Sequence, residues 1–123
     1  MKKMIVNETK TTPYISFDFI KGVLLIKGRS IPEDAISFYE KIYKNLESYS
    51  ISSKPLIVIL EFEYLNTSSN REIFSLLKYL KNIIKKVIVE WCYEEDDDSV
   101  EDIGHLFEET LKMKFVFKKL NKI

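Results

Sequence analysis

The hydrophobic pattern along the chain predicts an α/β fold: a single domain in the order β-β-α-β-α-β-α-β, with a mostly parallel sheet and flanking helices. Three observations carry this expectation. Short runs rich in Val, Ile and Phe alternate with longer stretches of helical periodicity. The run "LIVIL", Leu56 to Leu60, is apolar on both faces, as suits a central parallel strand covered on each side. Two strand-like runs flank Gly22, which suits a hairpin ahead of the first crossover.

The elements follow in order. Residues 1–12, "MKKMIVNETKTT", are read as a flexible amino-terminal segment; they lack the apolar core and small-residue cleavage site of a signal peptide. "YISFDF" puts Ile15, Phe17 and Phe19 on one face and Tyr14, Ser16 and Asp18 on the other, the alternation of a half-buried strand. "VLLIK" from Val23 pairs with it. "SIPE" reads as a capping box, Ser30 and Glu33 three apart with Pro32 in the first turn. The helix that follows carries Ala35, Ile36, Phe38, Tyr39, Ile42, Tyr43, Leu46 and Tyr49 at helical spacing. Beyond "LIVIL", a second helix presents Ile73, Phe74, Leu76, Leu77, Leu80, Ile83 and Ile84 on one face. "VIVEWCY" from Val87 is another core strand. A third helix from Ser99 turns Val100, Ile103, Leu106 and Phe107 inward, and "KFVFK" from Lys114 closes the sheet with lysines at an edge.

The chain has 123 residues, enough for one core, and its 19 Lys and Arg balance 19 Asp and Glu. That neutrality favours neither nucleic acid nor an anionic membrane as partner, and no apolar run is long enough to insert into a membrane. One cysteine, Cys92, excludes an internal disulfide and a multi-cysteine zinc site. A cytoplasmic location is expected.

No catalytic residue or cofactor is assigned. The single histidine, His105, has Glu101 and Glu109 four residues to either side, the pattern of a solvated helix face rather than a catalytic triad. Cys92 reads as a small buried side chain. Three glycines cannot make a dinucleotide or P-loop fingerprint. The acidic run "EEDDDSVED", Glu94 to Asp102, offers hard oxygen ligands for a metal-dependent enzyme, but lacks the glycine and spacing of a calcium loop. It suits better an acidic lead-in to a helix amino terminus, capped by Ser99, and such a loop can also face a partner.

The remaining feature is a row of hydroxyls, Thr67, Ser68 and Ser69, where a buried strand hands over to a helix. Ser69 and Glu72 form a capping box. One cap does not require three hydroxyls. A phosphate on Thr67 or Ser68 would meet free backbone N–H groups and the positive end of the helix dipole, with Arg71 placed to add a charge-assisted bond. On the residues alone, a phosphorylation switch and a plain turn stand level.

Three blocks in order, "TPYISFDFIKGVLLIKGRSIPEDAISFY", "YLNTSSNREIF" and "VEWCYEEDDDSVEDIGHLFEE", resemble the SiaC family of bacterial regulatory phosphoproteins over nearly the whole length. The family's fold is similar to that of STAS domains, the anti-sigma factor antagonists. The resemblance implies a non-enzymatic switch. It implies that a serine/threonine kinase phosphorylates the threonine of the "NTSS" motif, that a PP2C-type phosphatase resets it, and that the unphosphorylated form activates a diguanylate cyclase, in cyclic di-GMP signalling and biofilm formation, or another output protein. Motif matching makes Thr67 the phosphoacceptor, in an environment of Asn66, Ser68, Ser69 and Arg71. The helix "FYEKIYKNLESY" departs from the family pattern, having Lys41 and Asn45 near the places of a proline and a tryptophan, which bears on the identity of the partner. An unswitched interaction scaffold is the competing expectation.

Overall fold

A computed structural model describes residues 3–120. It contains the five strands and three helices expected from Tyr14 onward, and one more strand. The amino-terminal segment read as flexible supplies β1 (Lys3–Val6), antiparallel to β2 (Tyr14–Asp18). Register puts Met4 against Phe17 and Val6 against Ile15, so the short strand carries two apolar side chains to the core side. A hairpin joins β2 to β3 (Val23–Ser30). Its turn is tied by the Asp18 carboxylate, which accepts from the N–H groups of Ile20 (3.0 Å) and Lys21 (2.9 Å). Gly22 takes φ +69°, and a Cβ there would run into the Tyr49 hydroxyl, so no side chain is tolerated.

From β3 onward the chain makes three crossovers: α1 (Ala35–Ser50), β4 (Leu56–Leu65), α2 (Thr67–Ile83), β5 (Val87–Glu94), α3 (Asp98–Leu111) and β6 (Phe115–Leu120). The six strands lie in sequence order, with β3 to β6 parallel. Right-handed crossovers between successive neighbours in one direction place every helix on the same face. The ring contacts agree: Tyr43 meets Tyr79 between α1 and α2 at 4.9 Å, and Phe74 meets Phe107 between α2 and α3 at 5.3 Å. The expectation that "LIVIL" is covered on both sides is therefore corrected. Leu56, Val58 and Leu60 are buried beneath the helices, whereas Ile57 and Ile59 point to the other face and are half-buried.

The core gathers Phe17, Ile26, Leu60 and Trp91 from the sheet with Tyr39, Ile42, Leu76 and Leu77 from the helices. Two residues expected inward face solvent: Ile36 is 66% and Leu106 60% exposed. In α3 the buried positions are Val100, Gly104, Phe107 and Leu111, because the glycine lets the helix close on Trp91.

The ladder between β3 and β4 shifts between Gly28 and Arg29, with Glu63 the extra residue of β4. The bulge reverses the parity of β4. Leu65 then turns under the helices opposite Ser30, and Tyr64 remains 50% exposed. This sets the angle at which the chain leaves the sheet for α2.

Candidate functional site

The hydroxyl row sits where β4 gives way to α2, beyond the carboxyl ends of the parallel strands, the side of such sheets on which sites are found. Asn66 leaves the sheet with its N–H bound to the Ser30 carbonyl at 3.0 Å, and adopts an extended conformation, φ −82° and ψ 174°. Its side-chain carbonyl accepts from the N–H of Ser69 at 2.9 Å and from the Ser68 hydroxyl at 3.2 Å. Asn66 is thus the N-cap, and the expected Ser69–Glu72 capping box is not the device used. The signal was in the sequence, since asparagine is a favoured N-cap residue.

Ser69 instead occupies the third helical position and is fully buried. Its hydroxyl donates to the Ser30 carbonyl (2.9 Å) and lies 2.7 Å from the Ser30 hydroxyl, which lies 2.5 Å from the Tyr39 hydroxyl. The donors fit one direction: Tyr39 to Ser30, Ser30 to Ser69, Ser69 to the Ser30 carbonyl, leaving none unpaired. Burial pushes the Tyr39 phenol up to about 12, opposed by the hydrogen bonds to Ser30 and Ser69. The chain of hydroxyls ties α1, β3 and α2 together behind the site. Sequence gave no sign of it, as Ser30 and Ser69 lie 39 residues apart.

Ser30 therefore cannot cap α1. It is still paired with Leu65 in the sheet, and the N-cap is Asp34. The Asp34 carboxylate accepts from the Ser37 N–H (3.1 Å) and hydroxyl (2.8 Å). The hydroxyl first, then the N–H, lowers its pKa from the ordinary 3.8.

Thr67 is the first helical residue and is exposed. Among the described residues its hydroxyl has no hydrogen-bond partner, and the N–H groups of Thr67 and Ser68 are unpaired donors of the first turn. Arg71, four residues on and exposed, stands on the same helix face and forms no ion pair among the described residues. Beside it a cleft of about 300 Å³ opens between the amino ends of α1 and α2, lined by Glu33, Asp34, Ile36, Ser68, Arg71 and Glu72. On the sheet side Arg29 lies 5.8 Å over the Tyr64 ring and 3.9 Å from Glu63. The structure thus brings Asn66, Thr67, Ser68 and Arg71 to one exposed surface and turns Ser69 away from it.

The other chemical candidates are absorbed by structure. Asp97, not Ser99, caps α3, accepting from the Val100 N–H at 3.1 Å. Among the described residues the acidic run gathers no group of three or more His, Cys, Asp or Glu that can hold a metal. His105 stacks on Phe117 at 4.0 Å and meets Glu101 at 3.3 Å. Burial, with Glu61 and Glu90 nearby, pushes the Cys92 thiol up to about 11, which keeps it protonated and unreactive. Among the described residues no helix is long and apolar enough to cross a membrane.

Comparison with known proteins bears on this surface. The model of the SiaC family regulatory phosphoproteins matches residues 6–120. An uncharacterised protein of Pseudomonas aeruginosa (strain UCBPP-PA14) is 25% identical over 122 residues, covering 96% of this chain and 97% of its own. The crystal structure of apo-SiaC from Pseudomonas aeruginosa is similar at a TM-score of 0.81 and 27% identity, over 96% of this chain and 99% of that one. A chain in the crystal structure of the diguanylate cyclase SiaD with its activator SiaC, from the same organism, matches at 0.82 and 26%, over 95% and 99%.

Proposed function

The chain belongs to the SiaC family of regulatory phosphoproteins, and from that premise we propose that it is a switch in which reversible phosphorylation of Thr67 controls docking of a diguanylate cyclase. It acts as a regulator in the cytoplasm and not as an enzyme. A serine/threonine kinase adds the phosphate and a PP2C-type phosphatase removes it.

The observation that carries this reading is the setting of the Thr67 hydroxyl: exposed, unpaired among the described residues, at the first position of a long helix, with Arg71 one turn away. The neighbouring hydroxyls suit a kinase less. Ser69 is buried and bonded on both sides, and Ser68 donates to the cap. A phosphate on Thr67 carries about −1.5 to −2 charges at pH 7. The two free N–H groups, the helix dipole and the Arg71 guanidinium hold it in place. A modest neutral surface beside the acidic cleft thereby becomes strongly anionic, and a partner fitted to one form is mismatched to the other. The solved complex of SiaD with SiaC supports a diguanylate cyclase as the class of partner.

The test is phosphopeptide mass spectrometry after incubation with ATP and a lysate of the source organism. Phosphate is expected on Thr67, in the tryptic peptide spanning 45–71, and absent in Thr67→Ala, whose fold is unchanged because the side chain is exposed. Undiminished incorporation in that variant refutes the site. Equal affinity of the phosphorylated and free forms for the cyclase refutes the switch.

A further inference from the structure

The sheet has a second face, which no described element covers. Its centre is aliphatic: register sets Val23 beside Ile57 and Leu25 beside Ile59, with Ile88 next to Ile57. One row toward the carboxyl ends, Lys27 stands beside Glu61. At the two edges, Ile5 of β1 and Val116 of β6 lie in the same row as Leu25 and Ile59 and are 50% and 38% exposed. An aliphatic block at the middle of a large open face is a surface that associates.

We propose that this face is the interface between two copies of the chain, packed sheet on sheet about a two-fold axis running along the strands between β3 and β4. Such an axis exchanges β3 with β4 and β1 with β6, and every contact occurs twice. It lays Leu25 on Ile59 of the second copy, Val23 on Ile57, and Ile5 on Val116. It also lays Lys27 against Glu61, opposite charges meeting without any rearrangement. Neither is in an ion pair within its own chain among the described residues. Glu90 keeps Lys118 at 2.8 Å and falls opposite Ser16, so no like charges meet in the row of Leu25 and Ile59. Face-to-face sheets pack about 10 Å apart at roughly 30°, which keeps the rows near the axis in register. A nucleic acid or a peptide of one charge sign does not match this face; its own copy does.

The experiment is sedimentation equilibrium of the full chain over a dilution series. A mass of twice 14.6 kDa is expected at high concentration, falling to the single mass on dilution. Ile59→Lys is expected to remain folded by circular dichroism and to sediment as one chain. Lys27→Glu and Glu61→Lys each weaken association by about tenfold or more, since like charges then meet twice. Combining them restores it. A single-chain mass at every concentration overturns the proposal, as does a dimer indifferent to Ile59→Lys. A double charge exchange no better than its parents also overturns it.

Discussion

Gly104→Ala separates local propensity from tertiary packing by the sign of its effect. Gly104 is in the interior of α3, where alanine is favoured over glycine by about 1 kcal/mol. If the site had room, the substitution would stabilise. It has none: a Cβ would lie 2.6 Å from both Cδ1 and Nε1 of Trp91. The indole cannot retreat, being 1% exposed, stacked on Phe115 at 6.0 Å and against Phe107 at 5.7 Å. Its Nε1–H donates to the Val100 carbonyl at 2.9 Å in the preceding turn, so displacing the ring threatens that bond as well. Overpacking costs about 1–3 kcal/mol, and an orphaned buried donor costs about 1–3 kcal/mol. Set against the propensity gain, the expected net loss is about 1–5 kcal/mol, or roughly 4 °C or more in Tm for a domain of this length. Trp91 is the chain's one tryptophan, so urea unfolding followed by its emission reads the site directly, with circular dichroism as the global probe. A variant as stable as the parent or more so, with unchanged emission, would refute the packing argument.

Two further outcomes follow from the hydroxyl chain and the cap of α1. Ser69→Ala leaves the Ser30 hydroxyl without its acceptor and is expected to cost about 1–3 kcal/mol in urea unfolding, less a few tenths for helix propensity. Tyr39→Phe removes only the terminal donor, costs about 1 kcal/mol, and leaves every other donor paired; a reversed order rejects the assigned direction. Because the Tyr39 phenol is raised from 10.0 to about 12, its contribution is complete below pH 10 and lost as pH rises toward 12, a decline that Tyr39→Phe should lack. Asp34 has the opposite sign: its folded pKa lies below 3.8, so its contribution is complete above that pH and fades as acid protonates the folded form. Asp34→Asn keeps an acceptor at the N-cap and should flatten that part of the acid titration of stability.

Much of the architecture was legible in the chain. Alternating patterns named the hairpin and all three crossovers, and their order places residues 66–71 at the carboxyl end of a parallel strand. Thr67 of the hydroxyl row and Arg71 one turn on are both exposed. Helix positions such as Ile42, Leu46, Leu76 and Leu80 are buried as their spacing required. Periodicity succeeds here because each such residue must leave water whatever the neighbouring element turns out to be.

The rest depended on contacts distant in sequence. Ser30, Ser69 and Ser99 all looked like caps, yet Asn66, Asp34 and Asp97 fill that role. A cap is defined by where the preceding chain stops being held: Ser30 remains in the ladder with Leu65, and the extra residue of β4 decides which side chains turn under the helices. β1 is four residues long and gains its stability from pairing with β2, so its own pattern is too short to announce it. Coverage of the sheet was equally hidden. An aliphatic strand reads the same in a two-sided and a one-sided sheet, and only strand order separates them. Because each crossover here steps to the next strand in the same direction with the same hand, all three helices fall on one face, and Ile57 and Ile59 are left on the other.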